Sequence, residues 1–157
     1  MSLSKSERLE NIHEALRKAL THLGYDAIDT KVLNPSDPVF EGIQPTTWQY
    51  LVDNRLVKER RASTWRHYEI TGWGWRRALE VTGELETQEF KDRLGKLCAA
   101  FKDRVKGRQG SVFLNPQRVA EEIGIPWQWI FNVVDGRLIE RCFRQHGVRW
   151  NSSGLVW

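Results

Sequence analysis

Two stretches of the chain carry the same pattern of apolar and polar positions, and each opens as a helix. In the first, Ser4 and Glu7 have the S-x-x-E spacing of a capping box, in which serine takes the N3 amide and glutamate reaches back. Leu9, Ile12, Leu16, Ala19 and Leu23 follow at three- and four-residue intervals, the period of one buried helix face, and Gly24 offers a stop. In the second, Phe90, Leu94, Leu97, Phe101 and Val105 have similar spacing ahead of the breaker KGRQG at 106–110. Short apolar runs come next, Val32-Leu33 and Val112-Phe113-Leu114, each followed by Asn-Pro, which predicts an N-cap with proline at the first helical position. A second short helix, a turn at Gly-Ile and a third helix of about ten residues complete the series. The third helix ends at Asp53-Asn54 and at Asp135-Gly136, where Asn54 and Gly136 predict a left-handed stop. Leu56-Val57 and Leu138-Ile139 predict strand starts, with return strands at 67–71 and 155–157. Between the two stretches, TGWGWRRALEVTG (71–83) predicts a closing helix capped by Thr71, on which Trp73 and Trp75 cannot both face the core.

The likeness extends to residue identities. LVDNRLVKER (51–60) is echoed by VVDGRLIERC (133–142), and an offset of 82 also pairs Gly42 with Gly124 and Ile43 with Ile125. Val52/Val134, Asp53/Asp135, Arg55/Arg137 and Leu56/Leu138 are identical at that offset, and LNP occurs at 33–35 and 114–116. Self-similarity at a fixed spacing marks an internal duplication, with units at 1–85 and 86–157. The fold class expected is mostly α with small β-hairpins (α+β).

RVAEEIGIPWQWIFNVV, 118–134, resembles the helix-turn-helix pattern: Ala120 is small where the helices cross, Gly124 makes the turn, and Ile125, Ile130 and Val133 lock the pair, with Val119 and Ile123 at the other apolar places. Ile43, Trp48 and Leu51 fit the same pattern in the first unit, whereas SDPVFEG (36–42) departs from it. Helix, strand, helix, turn, helix, hairpin resembles a winged helix, so the chain resembles a tandem winged-helix protein. That resemblance implies a third helix able to enter the major groove and a hairpin wing against the phosphates.

Charge adds a partner class. The chain is +4 with pI ≈ 9.3, and residues 55–77 hold Arg55, Lys58, Arg60, Arg61, Arg66, Arg76 and Arg77 against Glu59 and Glu69. Basic clusters suit an anionic partner, and equally describe a solvated turn that discourages strand-edge pairing. The candidate duplex contacts in unit one are Thr46, Thr47, Gln49 and Tyr50 on the third helix and Lys58, Arg60, Arg61 and Arg66 on the wing. In unit two they are Gln128 and Asn132, with Arg144 and Arg149 as a weaker wing. Trp127, Trp129, Ile130, Phe131, Val133 and Val134 make the second unit's third helix apolar over much of its circumference, so Trp127 and Phe131 are candidate interface residues against the partner unit, another protein or a second copy. Asp53 and Asp135 would repel phosphates; they are expected to form the turn or pair with Arg55 and Arg137.

Catalytic chemistry finds no support. The four histidines (13, 22, 67 and 146) are scattered, and GWGW is no phosphate loop. No Ser or Cys sits in a nucleophile turn. Cys98 and Cys142 are expected to be small buried apolar groups rather than metal ligands, with a disulfide between them open but not indicated by the pattern. No apolar run approaches the roughly 18–20 residues of a membrane span, and the polar start lacks a signal-peptide layout. The expectation is a cytoplasmic, nucleoid-associated DNA-binding protein of transcription-regulator type, neither an enzyme nor cofactor-dependent, and without a membrane partner. The alternative is a non-catalytic winged-helix module for protein interaction or assembly.

Overall fold

Each of the two long helices starts where the sequence supplies an acceptor for its first free amides. Ser4 accepts from the Glu7 amide while the Glu7 carboxylate accepts from the Ser4 amide at 2.7 Å, which opens α1 (Lys5–Leu23). Thr87 caps α4 (Gln88–Val105) in the same position, accepting from the Phe90 amide. The computed structural model describes residues 3–24, 32–62, 65–106, 111–112, 115–143, 149–151 and 154–156. These form a mostly helical α+β chain with two small antiparallel sheets. After α1 come β1 (Val32–Leu33), a 3-10 turn (Pro38–Phe40), α2 (Pro45–Asp53), β2 (Val57–Ala62), β3 (Trp65–Ile70) and α3 (Gly72–Thr82). A second 3-10 turn (Glu84–Glu86) leads to α4, β4 (Ser111–Val112), α5 (Pro116–Ile123), α6 (Trp127–Asp135), α7 (Glu140–Phe143), β5 (Arg149–Asn151) and β6 (Gly154–Val156). The sheet orders are β1-β3-β2 and β4-β6-β5, so each first strand pairs with the last strand of its hairpin.

Backbone conformation follows the offset of 82. Gly42 and Gly124 both have positive φ, +88° and +68°, at the turn before the third helix. The helix stop repeats as well, but one residue later than expected. Asn54 and Gly136 have φ of −94° and −79°, and the left-handed residues are Arg55 (59°) and Arg137 (57°). The amides of Leu56 and Leu138 bond the carbonyls of Leu51 and Val133 (both 2.9 Å), and those of Arg55 and Arg137 bond Val52 and Val134 (both 3.0 Å). This is a Schellman closure with arginine in the left-handed place. An apolar residue must follow to meet the last turn, which accounts for the repeated Arg-Leu.

Three further expectations need correction. In the first half the second helix is a single 3-10 turn, capped by Asp37 rather than Asn34, whose side chain instead accepts from Ser36. Pro38 removes a donor and Gly42 ends the segment, leaving no room for a longer helix. In the second half Leu138-Ile139 does not start a strand. Both side chains are buried, and a strand would send one of two neighbours to solvent. The chain turns there, with Arg141 bonding the Leu138 carbonyl, and enters α7. Finally, Cys98 is disulfide-bonded rather than a free thiol. The chain's other cysteine, Cys142, lies in α7, and its side chain is outside the described residues.

A continuous apolar core runs through both halves. Phe40, Trp48 and Tyr68 stack in sequence, Trp48 lying parallel to Tyr68 at 4.7 Å and edge-on to Phe40 at 5.2 Å, which ties α2 to the sheet. Helix α3 contacts both α1 and α6, with Trp75, Ala78 and Leu79 buried and Trp73 exposed. Its glycines permit this. A Cβ on Gly74 would lie 1.9 Å from the Leu56 carbonyl, and one on Gly72 would lie 2.5 Å from Asp135. Gly136 meets the same joint from the other side: a Cβ there would lie 2.8 Å from the Gly72 carbonyl, so this position does not readily carry the asparagine found at 54.

Candidate nucleic-acid interface

Helix α2 is positioned from α1. Its N-cap Gln44 makes no side-chain cap bond, and Asn11 supplies the missing group: its Oδ1 accepts from the Gln44 amide (3.1 Å) and from the Thr47 hydroxyl, while its Nδ2 donates to Gly42 (2.9 Å). Part of the surface of α2 is left to solvent. Thr46, Gln49, Tyr50 and Asp53 follow at i, i+3, i+4 and i+7, one stripe, and all are exposed. Thr47 does not belong to that stripe. It is 4% exposed and held by Asn11, so the candidate contact at 47 is a packing residue. Asp53 accepts from Gln49 at 2.8 Å instead of pairing with Arg55.

The hairpin β2–β3 continues from the end of α2. Its register sets Arg61 opposite Arg66 and Arg60 opposite His67. Strand alternation places Val57, Glu59 and Arg61 on one face with Arg66, Tyr68 and Ile70 opposite them. Glu59 therefore reaches both Arg61 (2.7 Å) and Arg66 (2.8 Å), while Arg60 on the other face meets Glu69 at 3.2 Å. The hydrogen bond from Arg61, helped by the charges of both arginines, holds the Glu59 carboxyl below its ordinary pKa against the opposing effect of burial. The three arginine side chains keep 52–66% of their surface exposed. Exposed pairs of this kind are screened by solvent and contribute little to stability, so they exchange readily for a phosphate. Four cations (Lys58, Arg60, Arg61, Arg66) face two carboxylates, and Arg55 extends the positive side toward α2. Val52, Arg55, Lys58, Glu59, Arg60 and Thr71 are among the residues lining a cleft of about 500 Å3 that joins the helix end to the wing, three cations against one carboxylate. Arg55 and Lys58 have no carboxylate partner among the described residues. Sequence reasoning set Arg55 aside as a partner for Asp53; its repetition as Arg137 was the available signal.

The second half presents a different face. Trp127 and Phe131 are exposed at 40% and 47%, whereas Trp129 is buried beside Phe90 and under the Arg93 guanidinium. Gln128 is half-buried. Asn132 is fully buried, so it offers no contact to a duplex, although its counterpart in the first half, Tyr50, is exposed. Arg144 lies outside the described residues, as does the side chain of Arg149 in β5. Arg137, expected to pair with Asp135, has its guanidinium 5.4 Å from the ring centre of Trp73, which Arg76 also approaches at 5.5 Å.

Neither amide atom of the Asn132 side chain has a hydrogen-bond partner among the described residues. Asn132→Leu is therefore expected to raise the unfolding free energy by about 1 kcal/mol, because an unsatisfied buried amide is replaced by an apolar group. Urea denaturation checks this, and a clear loss of stability would show that the amide is satisfied in solution.

Among the described residues no helix is long and apolar enough to cross a membrane. No family model, curated protein or solved structure matches the chain.

Proposed function

We propose that the chain is a tandem winged-helix protein, with units at 1–85 and 86–157, that binds duplex DNA through the third helix and wing of unit one. The observation that carries this reading is the continuity of the exposed stripe Thr46, Gln49, Tyr50 with the basic cleft and hairpin formed by Arg55, Lys58, Arg60, Arg61 and Arg66. Hydroxyl and amide side chains on the helix suit base edges and sugar-phosphate oxygens, and clustered arginines suit phosphates. On this reading the protein is non-catalytic, of transcription-regulator type, and nucleoid-associated in the cytoplasm.

Arg60→Ala combined with Arg61→Ala tests it. Affinity for duplexes of every sequence is expected to fall together, and the slope of log affinity against log salt to shrink by about 2, since two phosphate contacts are lost. Unchanged affinity and slope in fluorescence anisotropy would remove the wing from the interface. The second reading, a protein-interaction module, is favoured by Trp127 and Phe131, two aromatic side chains one turn apart and exposed on α6.

A further inference from the structure

Beside the proposed reading stripe, α1 and α2 enclose an open groove of about 780 Å3, lined among others by Lys5, Arg8, Leu9, Ile12, Thr46 and Tyr50. On α1 those positions are i, i+3, i+4 and i+7, a single stripe two turns long. Leu9 and Tyr50 leave 53% and 42% of their surface in solvent, which is more apolar exposure than the helix pair needs for its own packing. All charge lining the groove is positive. The carboxylates of Glu7, Glu10 and Glu14 line a separate depression along α1 and do not line this groove. Arg8 donates through Nε to the Leu3 carbonyl at 3.0 Å, and neither it nor Lys5 has a carboxylate partner among the described residues.

We propose that this groove receives an acidic amphipathic helix from a partner protein. Its apolar stripe would lie on Leu9, Ile12 and Tyr50, and its carboxylates would face Lys5 and Arg8. Two turns of floor match the i, i+3, i+4, i+7 anchors by which such helices bind grooves, and the purely cationic rim selects the acidic class over the basic one. The occupant covers Thr46 and Tyr50, so it competes with a duplex for the same helix.

The test is a fluorescence-anisotropy titration of the full chain without DNA. The probe is a labelled helix-forming peptide of about 15 residues, with leucine at the four anchor positions and glutamate on the other face. Its control carries lysine in place of glutamate. The acidic peptide is expected to bind saturably and the basic one not at all. Leu9→Asp, and separately Lys5→Glu with Arg8→Glu, are expected to weaken binding by about tenfold or more. All of these residues are surface-exposed or at the rim, and an unchanged circular dichroism spectrum verifies folding. No saturable binding, equal binding of both peptides, or indifference to the charge reversal would overturn the proposal. So would a charge reversal that weakens duplex binding while leaving the peptide unaffected, because Lys5 and Arg8 would then belong to the nucleic-acid surface. Since the titration contains no DNA, its failure is separate from any failure of the DNA-binding reading.

Discussion

Gly74→Ala is expected to destabilise the protein by at least about 3 kcal/mol, lowering the melting temperature by roughly 6–12 °C for a chain of this size. The sign is opposite to ordinary helix propensity, which favours alanine over glycine by about 1 kcal/mol in a helix interior. The reason is the Leu56 carbonyl, 1.9 Å from the position the new methyl would occupy, with Ile70 Cγ1 at 2.8 Å. That carbonyl cannot withdraw freely. It accepts from the Thr71 amide and from the Thr71 hydroxyl, both at 3.1 Å, and Thr71 is the N-cap of α3. Moving it disturbs the start of α3 and the Schellman closure at Arg55 together. Gly95, in α4, is the matched control. Nothing lies within 4 Å of a Cβ there, so Gly95→Ala is expected to stabilise by about 0.5–1 kcal/mol. Thermal and urea denaturation of both variants check the pair. A Gly74→Ala protein as stable as the parent would mean that α3 does not approach the end of the first repeat so closely.

The second large effect concerns Cys98. Because this residue is disulfide-bonded, Cys98→Ser is expected to lower stability by about 2–4 kcal/mol, a fall of roughly 5–15 °C in melting temperature. Reducing the parent protein should bring it close to the variant, while the variant itself should not respond to reductant. The physical basis is confinement of the unfolded chain, since α4 is tied before folding to a segment it contacts only afterwards. Thiol titration of denatured, unreduced protein gives an independent reading, with no free thiol expected. Two free thiols, or a melting temperature unchanged by the substitution, would contradict the linkage.

Local physics made much of the fold legible in the sequence. Ser4, Thr71 and Asn115 act as caps where the pattern places them. The apolar periods give α1 and α4, and the turn glycines 42 and 124 have the same sign of φ. What escaped was non-local. Asn132 looks like part of a polar strip on a helical wheel, yet it is fully buried, on a helix that packs against α3 from the other half. Thr47 looks available until Asn11, 36 residues earlier, takes its hydroxyl. Leu138 and Ile139 have strand-forming side chains, but the core claims both. The left-handed arginines were hidden behind a preference: Asn and Gly are the usual residues for that conformation, and here each stands one position too early. For the candidate interface, the cations of the wing could be read directly. Their pairing with Glu59 and Glu69, and the place of Arg55 beside them, required the hairpin register.

The central claim is that this basic surface engages the phosphates of duplex DNA. The most direct measurement is fluorescence anisotropy of a labelled random duplex titrated with the intact protein at several salt concentrations. Saturable binding is expected, with a logarithmic affinity that falls linearly with log salt at about 0.9 per phosphate contacted and so with a slope of several units. Absence of binding at low salt, or an affinity indifferent to salt, would contradict it and leave the aromatic face of α6 as the better guide to what the protein does.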